Sequence, residues 1–95
     1  MSKYELINNK EERRYEFHVD GLKPHIDYVE RGEGVLYLTH TIVPPQLEGK
    51  GIGSMLVKKV LEDIDSQGKR IIPKCWFIVK YIKIHPEWEY LLYDI

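Results

Sequence analysis

The chain has 95 residues and a net charge of −1, with 43% of its residues hydrophobic and 31% charged. That length supports one core, so residues 1–95 are read as a single domain. The balance is too apolar for a disordered chain, and it lacks the cationic excess of a general nucleic-acid binder, which argues against nucleic acid as a partner. The single cysteine, Cys75, cannot close an internal disulfide, and no Cys/His cluster has metal-ligand spacing, so no metal is expected. Met1-Ser2-Lys3-Tyr4-Glu5 is charged where a signal core would be apolar, and no apolar run approaches the roughly 20 residues that cross a bilayer. A reducing, cytoplasmic setting without membrane contact is the expectation.

The first half reads as strands. From Arg13 to Val19 the sequence alternates, with Tyr15, Phe17 and Val19 on one face. Asp20-Gly21 signals a tight turn, because glycine accepts the positive φ of primed hairpin turns. A second strand ends in Ile26-Asp27-Tyr28-Val29, and Pro24 near its start suggests an edge position or a bulge. After a turn at Arg31-Gly32-Glu33-Gly34, the run from Val35 to Val43 is apolar or β-prone throughout. This continuity predicts a central strand covered on both faces and stopped by Pro44-Pro45.

The period then changes. Ile52, Leu56, Val60 and Ile64, with Val57 and Leu61, mark an amphipathic helix from Ile52 to Ser66 that Gly68 can cap. Lys69 to Cys75 supplies a short strand. Phe77, Ile78, Tyr81 and Ile82 then share a helical face closed by Pro86, and Glu87 to Leu92 is read as a last turn or short helix. The expected fold is α+β: a mixed sheet, made of an antiparallel β-meander, a right-handed β-α-β crossover with parallel strands, and a C-terminal helix.

Gln46-Leu47-Glu48-Gly49-Lys50-Gly51-Ile52-Gly53 joins the central strand to the amphipathic helix. Alternate glycines keep side chains away from the backbone, and the first helical amides lack intrahelical partners and carry the positive end of the dipole. A phosphate accepts several N–H bonds at such a terminus, with Lys50 adding charge. The spacing G-x-G-x-G fits neither a dinucleotide fingerprint nor a P-loop. A glycine-rich loop that only makes a tight turn is the alternative.

Gln46-x-x-Gly49-x-Gly51 resembles the Q/R-x-x-G-x-G/A signature of GCN5-related N-acetyltransferases, in a matching strand–loop–helix–strand context. Within that superfamily, the segments His40 to Gly53, Ile71-Ile72-Pro73-Lys74-Cys75 and Tyr81-Ile82-Lys83-Ile84-His85-Pro86-Glu87-Trp88 resemble motifs of its small, stand-alone branch. The resemblance runs from Tyr15 to Leu92. It implies a minimal acetyltransferase fold that uses acetyl-coenzyme A as a small thioester donor and an amine or a protein as acceptor. It also implies a loop from Gln46 to Gly53 around the coenzyme A pyrophosphate. By the same resemblance Thr41, Ile42 and Val43 offer backbone amides to the pantetheine and thioester, and Lys80 and Tyr81 are candidates to touch the cofactor. Larger members insert helices where this chain has only the Asp20-Gly21 turn, which leaves the acceptor side open. A coenzyme A-binding sensor or interaction module without turnover is the competing reading.

Two residues are candidates for chemistry. Cys75 stands at a helix start beside Lys74, where a thiolate is favoured and can accept an acyl group, although a buried inert thiol is the plainer reading. The small branch carries a cysteine proposed for this role. His40 is expected on the strand face of Leu36, Leu38 and Ile42, as a core imidazole or as a general base working with Cys75. His18, His25 and His85 stand alone in sequence and read as surface or turn residues. Trp76, Trp88, Tyr90 and Tyr93 could form an aromatic patch, but core packing explains most of them better.

Overall fold

Asp20 and Gly21 both take positive φ (51° and 77°), and so do Glu33 and Gly34 (57° and 76°), as primed hairpin turns require. These turns fold the first half into an antiparallel meander in a computed structural model that describes residues 4–93. The strands are β1 (Ile7–Asn9), β2 (Arg14–Glu16), β3 (His25–Gly32), β4 (Val35–Ile42) and β5 (Arg70–Pro73), in spatial order β1-β2-β3-β4-β5. β4 and β5 are parallel and are joined through α1 (Ile52–Ser66); α2 (Trp76–Ile84) follows, then a 3₁₀ turn at Pro86–Leu91.

The meander has one strand more than the sequence reading, because β1 is short and half-buried and has no apolar alternation to reveal it. Pro24 marks neither an edge nor a bulge. It precedes β3, which is the middle strand, and its carbonyl accepts from the Phe17 amide at 3.0 Å.

Tyr15, Phe17, Ile26, Leu38 and Ile71 of the sheet share one core with Leu56, Val57, Val60, Leu61 and Ile64 of α1 and with Ile78 and Ile82 of α2. Both helices therefore cover the same face. The Tyr15 hydroxyl donates to Asp63 of α1 at 2.8 Å, tying β2 to the helix. At its end α1 closes with Gly68 at φ 70°. The Gly68 amide bonds the Asp65 carbonyl at 2.9 Å and the Lys69 amide bonds Ile64 at 3.1 Å, so the last carbonyls are satisfied.

The expectation that β4 is covered on both faces does not hold. Val29 and Ile42 are each 46% exposed, and among the described residues no helix lies over the outer face. Glu16 is buried all the same, and its carboxylate accepts from Arg14 Nε at 3.0 Å and meets His18 Nε2 at 2.8 Å. Burial pushes its carboxyl up, but the bonds from His18, Asn9 and Arg14 outweigh this and hold it below the ordinary value.

A depressed carboxyl stabilises the fold above its unfolded pKa of about 4.3 and loses that contribution as pH falls. Glu16→Gln should therefore cost about 1–3 kcal/mol in urea unfolding at pH 7. The gap to the parent should close toward pH 3; a gap that stays constant with pH would refute this account.

Candidate functional site

Pairing between β4 and β5 runs from Val35↔Arg70 to Leu38↔Pro73, and the Lys74 amide closes it on the Leu38 carbonyl at 2.8 Å. Beyond that point His40, Thr41 and Ile42 pair with β3, while the chain after β5 turns into α2. The two parallel strands thus part at their C-terminal ends, where ligands of open α/β arrangements sit.

Within β4, Asp27 faces His40 but Tyr28 faces Leu38, which leaves Thr39 as an extra residue. Such a bulge shifts the alternation by one. After it, Thr41 shares the helix-side face with Ile26 and Tyr15, whereas His40 shares the outer face with Asp27 and Arg14.

The loop after β4 folds as a short 3₁₀ turn at Pro45–Leu47, anchored by Leu47, which is buried in the core. Gly49 and Gly51 take φ of 81° and 74°, and a Cβ built on either meets nothing within 4 Å. Gly51 is also the N-cap of α1. No side chain caps this terminus, and no acidic residue stands in the first turn. Its unpartnered amides face a cavity of about 490 Å³. Gly53 serves a different purpose: its Cβ would lie 3.0 Å from the Phe77 ring, so it allows α1 and α2 to approach.

Thr41, Ile42 and Val43 form one wall of this cavity, and Leu47, Glu48, Gly49, Gly51, Ile52 and Gly53 form another. Ser54 and Phe77 complete it; the sequence reading missed both. The helical period places Phe77 on one face of α2 with Ile78, Tyr81 and Ile82, but only the packing of α2 on Gly53 reveals that its ring borders the cavity. Gln46, Lys50, Lys80 and Tyr81 do not line it. Gln46 and Lys80 are exposed, Lys50 lines a depression with His18 and Asp20, and Tyr81 packs in the core against His85.

Cys75 is the N-cap residue of α2, as expected, and its thiol donates to Thr41 Oγ1 at 3.4 Å, on the cavity wall. Burial pushes the thiol up. Once ionised, the sulfur accepts from the Thr41 hydroxyl and from the backbone N–H groups of Phe77 and Ile78, which overcomes that, so the thiol lies below its ordinary value. Alkylation of Cys75 by iodoacetamide should then show a pH midpoint below the value of about 8.5 for a free thiol. Thr41→Val should raise it; a parent midpoint at or above that of a free thiol would contradict this environment.

The structure does not bring His40 to Cys75. The Thr39 bulge turns His40 to the outer face, where its side chain is 70% exposed and its Nδ1 lies 3.8 Å from Asp27 Oδ2. Leu36 and Leu38 stay on the buried face, so the expectation of one shared face with His40 fails at the bulge. Asp27 also faces His25, whose Nε2 is 3.7 Å away and whose Nδ1 meets the Lys23 carbonyl at 2.7 Å. Of the other histidines, His18 is exposed and meets Glu16, and the half-buried His85 lies beside Tyr81 and Glu87. Trp76 and Tyr90 are 68% and 53% exposed, so core packing does not explain these two aromatics. Among the described residues no His/Cys/Asp/Glu group could hold a metal ion, and no helix is long and apolar enough to cross a membrane.

Residues 14–91 match the GCN5-related N-acetyl-transferase family. The chain belongs to that family. NATD1 proteins of Gallus gallus and Homo sapiens are each 35% identical to it over 60 residues. That stretch is 63% of this chain and 54% and 53% of theirs, so the chain spans about half the length of these relatives. The solution structure of a GCN5-like protein from Staphylococcus aureus has the same fold, with a TM-score of 0.72 at 23% identity, covering 100% of this chain and 93% of that one.

Proposed function

We propose that this family member transfers an acetyl group from acetyl-coenzyme A to an amine. The observation that carries the reading is the uncapped N-terminus of α1, which opens onto a cavity that also reaches Thr41, the hydrogen-bond partner of the Cys75 thiol. The residues fit the cofactor. Amides from Gly49 to Ser54 would hold its pyrophosphate, and the walls at Thr41–Val43 and Phe77 would hold the pantetheine. When bound, acetyl-coenzyme A supplies the activated acetyl thioester. Cys75 stands behind the Thr41 wall of that cavity, hydrogen-bonded to it, and the free thiol suits a reducing compartment such as the cytoplasm.

On the outer face His40 and Asp27 offer a proton acceptor to an amine that approaches through the gap between β4 and β5. His40→Ala should lower kcat/KM about 10²- to 10⁴-fold, the usual contribution of a general base. Coenzyme A affinity should be unchanged, because the loop amides lie elsewhere. Loss of cofactor affinity, or full activity, would remove His40 from this role.

The deciding experiment is equilibrium binding of coenzyme A together with turnover of acetyl-coenzyme A on a panel of small amines and peptides. A second reading, a coenzyme A-binding module without turnover, draws support from the outer face, over which no helix lies among the described residues. Binding without modification of any acceptor would decide in its favour.

A further inference from the structure

A second cavity of about 490 Å³ lies at the other end of α1, where Gln67 closes the helix. The 15 residues of α1 separate the two cavities by roughly 22 Å at 1.5 Å per residue. Tyr15 and Tyr28 line it, with Lys10, Arg13 and Lys69 as cations and Glu30 as the single carboxylate. Lys69 is paired with Glu30 at 3.3 Å. Among the described residues the side chains of Lys10 and Arg13 make no hydrogen bond or ion pair.

The carboxylate that α1 presents beside Tyr15 is already engaged, whereas Glu11 and Glu12 stand exposed in the turn between Lys10 and Arg13. The Asp63 carboxylate accepts from the Tyr15 hydroxyl at 2.8 Å and from the Gln67 amide at 2.6 Å, and the final carbonyls of α1 accept from the amides of Gln67, Gly68 and Lys69. The Tyr15 and Tyr28 hydroxyls spend their protons on Asp63 and Asn8, which leaves oxygen lone pairs toward a ligand. Arg13 also holds a left-handed φ of 55° in the turn before β2, a conformation that glycine adopts without strain. An arginine there keeps a guanidinium at the cavity at the expense of the backbone.

We propose that this cavity binds a small phosphate ester with free hydroxyl groups. The phosphate would be held by Lys10 and Arg13, and the hydroxyls would donate to the tyrosine oxygens. This site is separate from the acetyl-donor site and does not depend on the reading of that site.

The test is titration of the ¹⁵N-labelled chain with ribose 5-phosphate and with inorganic phosphate, following amide shifts. Saturable shifts are expected at Val29, Gln67 and Lys69, with ribose 5-phosphate the tighter ligand. Arg13→Gly should weaken binding at least tenfold while the melting temperature holds or rises, since glycine relieves the strained φ; Lys10→Ala should also weaken it. Shifts confined to Gly49–Ser54, equal affinity for the two probes, or unchanged affinity in Arg13→Gly would each overturn the proposal.

Discussion

Gly51→Trp should reduce coenzyme A affinity at least about 100-fold, the equivalent of roughly 2.7 kcal/mol, while the chain still folds. The reason is steric and local. A Cβ at Gly51 meets nothing within 4 Å, so an indole there projects into the open space over the α1 terminus and covers the amides a pyrophosphate would use. The substitution also forces a bulky residue into φ 74°, which costs about 1–2 kcal/mol. That is small beside the roughly 5–15 kcal/mol of a typical domain, so the melting temperature should fall by several degrees without loss of the folded state. Calorimetric titration with coenzyme A, with circular dichroism as the folding control, reads both effects. Gly53→Ala gives the contrast: its Cβ presses on the Phe77 ring at 3.0 Å, so it should disturb helix packing more than anion access. Parent-like affinity in a folded Gly51→Trp chain would place the pyrophosphate elsewhere.

Incubation with acetyl-coenzyme A should add one hydroxylamine-labile acetyl group to the parent and none to Cys75→Ala. On this proposed route the Cys75 thiolate would attack the donor's thioester carbonyl; a new C–S bond would form on the protein, and coenzyme A would leave as a thiol with the proton that Cys75 gave up. An amine would then take the acetyl from Cys75 and restore the thiol. If this route carries the reaction, Cys75→Ala should lose roughly 10⁴-fold or more of its turnover, the scale reached when a nucleophile is removed. The environment supports the step, because hydrogen bonding to Thr41 and the helix-start backbone outweighs burial and favours the thiolate. Normal amine acetylation by Cys75→Ala would mean direct transfer and a structural thiol. That outcome is open on geometric grounds too, since His40 and Asp27 lie across the strand from Cys75 and would serve an amine attacking from the outer face.

The features legible in the sequence are those fixed by neighbours in the chain. Asp20-Gly21 and Glu33-Gly34 turn as read because positive φ is a local demand. The 3.6-residue period from Ile52 to Ile64 fixed the buried stripe of α1, and Gly68 capped it. The glycine loop between strand and helix needed only that local order to place bare amides at the head of α1, and Cys75 stands at the start of α2 for the same reason. Tertiary structure decided the rest. A bulge at Thr39 is set by register against β3, which sequence periodicity cannot show, and that one residue moved His40 from the face of Leu36 and Leu38 to the face of Asp27. Strand β1 depends on its pairing with β2, since three half-buried residues carry no pattern of their own. Phe77 borders the cavity only because α2 docks on Gly53, and the outer face is open because both helices pack on the same side of the sheet. Local backbone chemistry thus determined the bare amides at the head of α1, whereas long-range pairing and packing decided which side chains stand beside them.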